Sequence, residues 1–234
     1  YDNVGVPGAL TADALETTSA LNSVSPGNIF FDIVLRNSAL PPGDTTQLDQ
    51  LEALVANGLP GTSLLMYWVG NNDVLGGALS GDPVVGENVT PPAIFASLTD
   101  AALARIDALD VPQVVVVNIP DVTSIPFVTS IAGLLAQGGL VAGDLNTAED
   151  DVAFVLLSAQ TLLFEPDGSV DLDYVTGASA TPETLPSNLT LTQTEVGELQ
   201  QTVNAFNSHL ASAVAADGRD WALVDANALL SQGV

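Results

Sequence analysis

The stretch Ser63-Leu64-Leu65-Met66-Tyr67-Trp68-Val69-Gly70-Asn71-Asn72-Asp73-Val74-Leu75 decides how the rest of the chain is read. It opens with a continuous apolar run of strand length, rich in aromatic and branched side chains. That is the pattern of a buried strand in a parallel sheet. Gly70-Asn71-Asn72-Asp73 then stops the run with four residues that favour turns and local side-chain hydrogen bonds. An apolar segment resumes from Val74 to Leu79. Strand, polar turn, helix is the arrangement in which open α/β sheets build sites at the carboxyl ends of their strands. An amide side chain on such a turn can donate into a crevice. The plainer reading is a strand-end turn whose Asn and Asp cap the next helix.

Upstream, Pro41-Pro42-Gly43 breaks the chain and Asp44, with Gln47 three residues on, reads as the cap of a helix. Leu48, Leu51, Leu54 and Val55 form its apolar stripe, and Asn57-Gly58 and Pro60-Gly61 end it. Downstream, Gly81 to Pro92 is an acidic Gly/Pro-rich loop. Pro91-Pro92 opens an amphipathic helix with Phe95, Leu98, Ala102, Ile106 and Leu109 as its core face. Gln113 to Pro120, with four consecutive valines, is the next strand, and Asp121 to Phe127 lies at its carboxyl end. Thr192-Gln193-Thr194-Glu195 is a capping box for a helix carrying Val196, Leu199, Val203, Phe206, Leu210 and Val214. Trp221 to Asp225 is the last strand.

The remaining segments are less regular. Tyr1 to Thr11 reads as the end of a short strand in a Gly/Pro turn, followed by a helix around Leu10, Ala14 and Leu21. Asn28 to Arg36 suits a short helix or a lid-like apolar element. Residues 127–190 read as an insertion, partly helical, that caps the crevice. It has apolar runs at 131–135 and 152–163 and a hairpin-like turn at Pro166-Asp167-Gly168. The Asp/Gly pattern there lacks the register of a calcium loop. The chain as a whole, 1–234, reads as one α/β domain.

Composition narrows the function. There are 28 acidic residues against 3 basic ones, no lysine and no cysteine, for a net charge of −25. Such a chain repels nucleic acid and anionic membrane surfaces. Without cysteine, thiolate metal sites and a Cys nucleophile are excluded. With 47% hydrophobic residues the acidity is not that of a disordered tail. It suits an extracellular or cell-envelope bacterial protein, secreted and adapted to salt, which screens self-repulsion. No cofactor or metal motif is present, and an oligomer is left open.

Gly70-Asn71-Asn72-Asp73, in its place after a hydrophobic strand, resembles the Gly-x-Asn-Asp block of the SGNH (GDSL-type) hydrolases. Asn3-Val4-Gly5-Val6-Pro7-Gly8 is similar to that family's second block, and Asn118 to Thr123 resembles its bacterial lipase and esterase branch. The resemblance implies a three-layer α/β/α fold with a flavodoxin-like, mostly parallel sheet. It implies an oxyanion hole made by the Asn72 amide and a backbone N–H, that of Gly8 first and Gly5 second. It also implies ester hydrolysis through an acyl-enzyme, with a small-molecule ester or lipid as substrate. The family's Gly-Asp-Ser block would lie upstream of Tyr1 and its Asp-x-x-His block downstream of Val234. The expectation is therefore a hydrolase seen without its nucleophile and base segments. Removing the central first strand would leave a gap lined by unpaired backbone and apolar side chains.

His209, the single histidine, lies mid-helix beside the apolar stripe and reads as a surface or edge residue. Asp121 reads as a turn residue. Two other readings stand beside the esterase: a non-catalytic surface or assembly protein on the same fold, and a carbohydrate acetylesterase.

Overall fold

The structure is a computed structural model. It describes residues 3–24, 27–37, 44–57, 64–124, 128–130, 144–216 and 218–231. The apolar run at 131–135 lies outside the described residues. The fold is α/β, and the chain divides into two compact units.

The first unit comprises Tyr1–Asp73, Thr90–Pro120 and Asn204–Leu229. Three short helices come first: α1 (Thr11–Glu16), α2 (Phe30–Leu35) and α3 (Gln47–Ala56). The sheet is built from β1 (Leu65–Tyr67), β2 (Val114–Val117) and β6 (Trp221–Val224) in the order β1-β2-β6. Both pairings are parallel, with Leu65 opposite Val114 and Val114 opposite Trp221. The four valines of β2 suit a strand flanked on both sides, because branched side chains pack well on a pleated surface. Helix α5 (Pro92–Asp107) follows its two prolines as expected, Pro at the first helical position costing no hydrogen bond. Its buried face is Phe95, Thr99, Ala102, Leu103 and Ile106, while Leu98 and Leu109 stay half-buried.

The second unit comprises Val74–Val89, Asp121–Val203 and Leu230–Val234. Its sheet is antiparallel: β3 (Val128–Ser130), β4 (Val152–Leu156) and β5 (Thr190–Thr192) in sequence order. Leu145, Val155, Ala159, Leu163, Tyr174 and Leu185 form a core, with Leu163 on the short helix α6 (Gln160–Leu163). The turn at Pro166-Asp167-Gly168 forms as expected: Gly168 N donates to Glu165 O at 2.8 Å, and Phe164 bridges Val170. Residues 127–190 fall within this unit.

Helices α4 (Asn72–Ser80) and α7 (Gln193–Val214) each have residues in both units, and α8 (Ala226–Ser231) follows β6. The capping box of α7 is present, with Thr192 N and Oγ1 donating to Glu195 at 2.7 and 2.8 Å. All six apolar positions read from the sequence are buried. No described helix is long and apolar enough to cross a membrane.

Three local readings need correction. The first helix ends at Glu16, where Thr17 turns extended, so Leu21 is not on it and is 93% exposed. The cap of α3 is Thr46, whose side chain accepts from Asp49 N while Asp49 accepts from Thr46 N. Asp44 instead adopts a left-handed backbone with φ 52°. Residues 3–6 form no strand: a strand needs a neighbour to complete its ladder, and none of the described strands pairs with them.

Candidate functional site

The two stretches carrying the expected oxyanion donors meet. Asn72 Nδ2 donates to Ala9 O at 2.9 Å, across 63 residues of sequence. Beneath that contact, Asp73 fastens the same two segments. Its Oδ2 accepts from Thr11 N at 2.8 Å and from Thr11 Oγ1 at 2.9 Å, and its backbone C=O accepts from Thr90 N at 2.8 Å. The turn thus grips the Gly8 segment through two adjacent side chains.

The Gly8 segment is shaped by its own constraints. Gly8 has φ +80°, a left-handed conformation that favours glycine, and a Cβ there would sit 3.0 Å from Asn28 Nδ2. Asn28 Nδ2 donates to Pro7 O at 2.9 Å and so holds the turn from its other flank. Val6 and Ala9 are buried against Phe31 and Leu35 of α2. Among the described residues, no acceptor meets the Gly8 N–H. Gly5 differs: its N–H already donates to Asn3 Oδ1 at 2.8 Å. Of the two glycines, Gly8 is the one whose N–H meets no acceptor among the described residues.

On the other segment, Gly70 has φ +115°, and a Cβ would come within 2.7 Å of Phe95 Cε2. The left-handed turn and this close approach are why the block must begin with glycine. Asp73 N donates to Gly70 O at 3.2 Å as α4 begins. Asn72 is the first residue of that helix.

The electrostatics centre on buried acids. Asp73 is 1% exposed, and burial pushes its carboxyl above the usual range; the Thr11 N–H opposes the rise, and Asp13 adds to it. Among the described residues no donor meets its Oδ1 in good hydrogen-bond geometry, and the Thr90 hydroxyl only weakly opposes the rise. Asp13 is also fully buried, accepting from Thr17 Oγ1, from Leu10 N at 2.9 Å and from Val24 N at 2.8 Å. Burial raises the Tyr67 hydroxyl as well, with Asp73 the next contributor.

Several of these residues carry no recognisable pattern in the sequence. Asp73 was legible only as part of the turn. Asn118 Nδ2 donates to Asp225 Oδ1 at 2.8 Å, and its Oδ1 accepts from Asn227 N at 3.0 Å, joining the ends of β2 and β6. Asn207 clasps Ile119, accepting from its N–H and donating to its C=O, both at 2.8 Å. An amide inside an amphipathic helix carries no sequence signal for such a clasp. Asp121 is a turn residue, accepting from Thr123 N at 2.8 Å. His209 Nε2 lies 2.9 Å from Asp100 Oδ1 in an exposed pair. Among the described residues, no cluster of His, Cys, Asp or Glu could hold a metal ion.

A groove of about 830 Å³ runs beside β1. Its lining includes Leu51, Leu54 and Val55 of α3, the arm Asn3 to Gly5, and Leu64 to Val69. Among the described residues, β1 pairs only with β2, so its other edge faces the groove. Met66 is 61% exposed and Trp68 50%. The groove side of β1 is therefore largely apolar and open among the described residues.

No protein-family model, no curated protein and no solved structure matches the chain.

Proposed function

We propose that this chain is the body of a serine ester hydrolase of SGNH type, with its sheet part of a three-layer, flavodoxin-like fold. The observation that carries the reading is the 2.9 Å contact of Asn72 Nδ2 with Ala9 O, which brings the Asn72 amide to the segment bearing Gly8. An oxyanion hole needs two such donors from separate segments, held rigid before the reaction. Asn72 has a second amide hydrogen for an oxyanion while the first anchors it. In this reading the nucleophilic Ser and the His–Asp pair come from segments outside the 234 residues. The Ser attacks the ester carbonyl, the His takes its proton and returns it to the leaving alcohol, and water then releases the acid. The substrate is an uncharged acyl ester, since a net charge of −25 disfavours anionic ones. The protein acts outside the cell or in its envelope.

The test is labelling of the natural, full-length protein with a fluorophosphonate, alongside hydrolysis of 4-nitrophenyl butyrate. Covalent labelling of one Ser with parallel loss of hydrolysis is the expected result. A protein that neither labels nor hydrolyses sinks the reading.

That outcome would favour a non-catalytic surface or assembly protein. One observation supports this alternative: the Asn72 and Asp73 side chains already serve a structural purpose in clasping Ala9 and Thr11.

A further inference from the structure

We propose that one buried water molecule bridges the hydroxyls of Tyr67 and Thr99 and Oδ1 of Asp73, tying the turn that carries Asn72 to β1 and α5. The inference does not rest on the hydrolase reading, since it uses only buried oxygens and their bonding needs.

Three elements bring these oxygens together. Tyr67 ends β1 on its buried face and is 5% exposed. Thr99 lies on the buried face of α5, one helical turn on from Phe95, the ring against which the Gly70 backbone packs. Asp73 stands at the start of α4, where that turn ends. The Thr99 hydroxyl is turned towards that of Tyr67, and the Asp73 carboxylate is the charge that acts on the phenol.

The protein leaves all three oxygens unbonded. Tyr67 Oη, Thr99 Oγ1 and Asp73 Oδ1 are buried, and none meets another, or any described group, in hydrogen-bond geometry. Thr99 is the telling case. A helical Thr or Ser commonly bonds back to the carbonyl four residues earlier, as Thr202, Ser208 and Ser212 do in α7. Thr99 forgoes that bond. The other oxygen of Asp73 is well served, accepting from Thr11 N and Oγ1. Three orphans in one place therefore ask for a shared partner, because buried polar groups are almost always bonded.

Water meets the donor and acceptor count. It can donate to Asp73 Oδ1, accept from Tyr67 Oη–H, and exchange its remaining hydrogen bond with Thr99. About three hydrogen bonds is the usual complement of an internal water. A hard cation such as calcium fits less well, since it takes about six or more oxygens.

A high-resolution crystal structure of the natural, full-length protein tests this directly. A single ordered water bonded to all three oxygens is the expected result, and its absence from a well-defined map overturns the proposal. Urea unfolding supplies a second test through its sign. With the water in place, Tyr67→Phe and Thr99→Val each remove one of its partners, and each should lower the unfolding midpoint. If the oxygens are true orphans, each change removes an unsatisfied buried group, and a raised midpoint would refute the bridge. The difference between wild type and Thr99→Val is expected to be the same in sodium chloride and in choline chloride. A difference present only with sodium marks a bound cation and also overturns the water. Should a variant fail to fold, the crystal structure still decides.

Discussion

Helices α3 and α5 lie in the same unit and carry equally regular apolar stripes, yet they end up differently. In α5, Phe95, Ala102, Leu103 and Ile106 are completely or almost completely buried, and Phe95 stacks on Phe206 with ring centroids 3.9 Å apart. In α3, only Gln47 and Leu48 are buried, and Leu51, Leu54 and Val55 line the groove. Helix α3 is held by polar links instead. Arg105 Nη2 and Nε reach Asp49 and Glu52 at 2.6 and 2.7 Å, and Gln50 Nε2 donates to Leu35 O at 2.7 Å. Polar links fix where a helix stands without covering its apolar face. The difference teaches that polar links can hold α3 in place while its apolar face stays open to the groove.

The comparison is broken most sharply at the well-buried end. Phe206→Ala removes the stack on Phe95 and should cost about 3–5 kcal/mol, read as the shift in urea unfolding. A cost below about 1 kcal/mol would mean that α5 is no better packed than α3. Asp73→Ala comes next. It orphans the buried N–H and hydroxyl of Thr11, at about 2–4 kcal/mol in the same assay. Leu54→Ala sharpens the contrast on the α3 side. Leu54 is half-buried on the groove lining, so the change should cost only about 1 kcal/mol. A loss under about 0.5 kcal/mol would leave Leu54 facing solvent, as surface substitutions do.

Smaller effects follow from charge. Asp73 has a raised carboxyl in the folded protein, so the folded state binds its proton more tightly than the unfolded chain does. The stability this contributes is full below the ordinary value of 3.8 and is lost as pH rises through the folded value. The wild type should therefore lose stability relative to Asp73→Asn across that interval and run parallel to it above. Parallel curves throughout would show that Asp73 carries no such shift. His209→Ala should be smallest, within about 0.5 kcal/mol, because its pair with Asp100 is exposed.

Much of the fold was legible because it depends on local chemistry and periodicity. The valines of β2, the prolines opening α5 and the Thr192–Glu195 box each specify their element without reference to distant residues. Legibility failed where a distant partner decides. The stripe of α3 was readable, but whether Leu51 and Leu54 are covered depends on what stands across the groove, which periodicity does not encode. The start of the chain reads as a strand, yet residues 3–6 form no ladder without a neighbour. At the candidate site, Gly8 and Asn72 were both picked out, and their meeting through Ala9 is a tertiary fact. Asp73 as a clasp and Asn207 as a grip on Ile119 had no pattern to betray them, since each works through one long-range pair of hydrogen bonds.

The most direct test of the central claim is the effect of Asn72→Ala on ester hydrolysis by the natural, full-length protein, with folding verified by its unfolding curve. The account predicts a fall in kcat of roughly 10²–10³ with KM little changed, the mark of a donor used in the transition state. Hydrolysis at the wild-type kcat by a folded Asn72→Ala protein would contradict it.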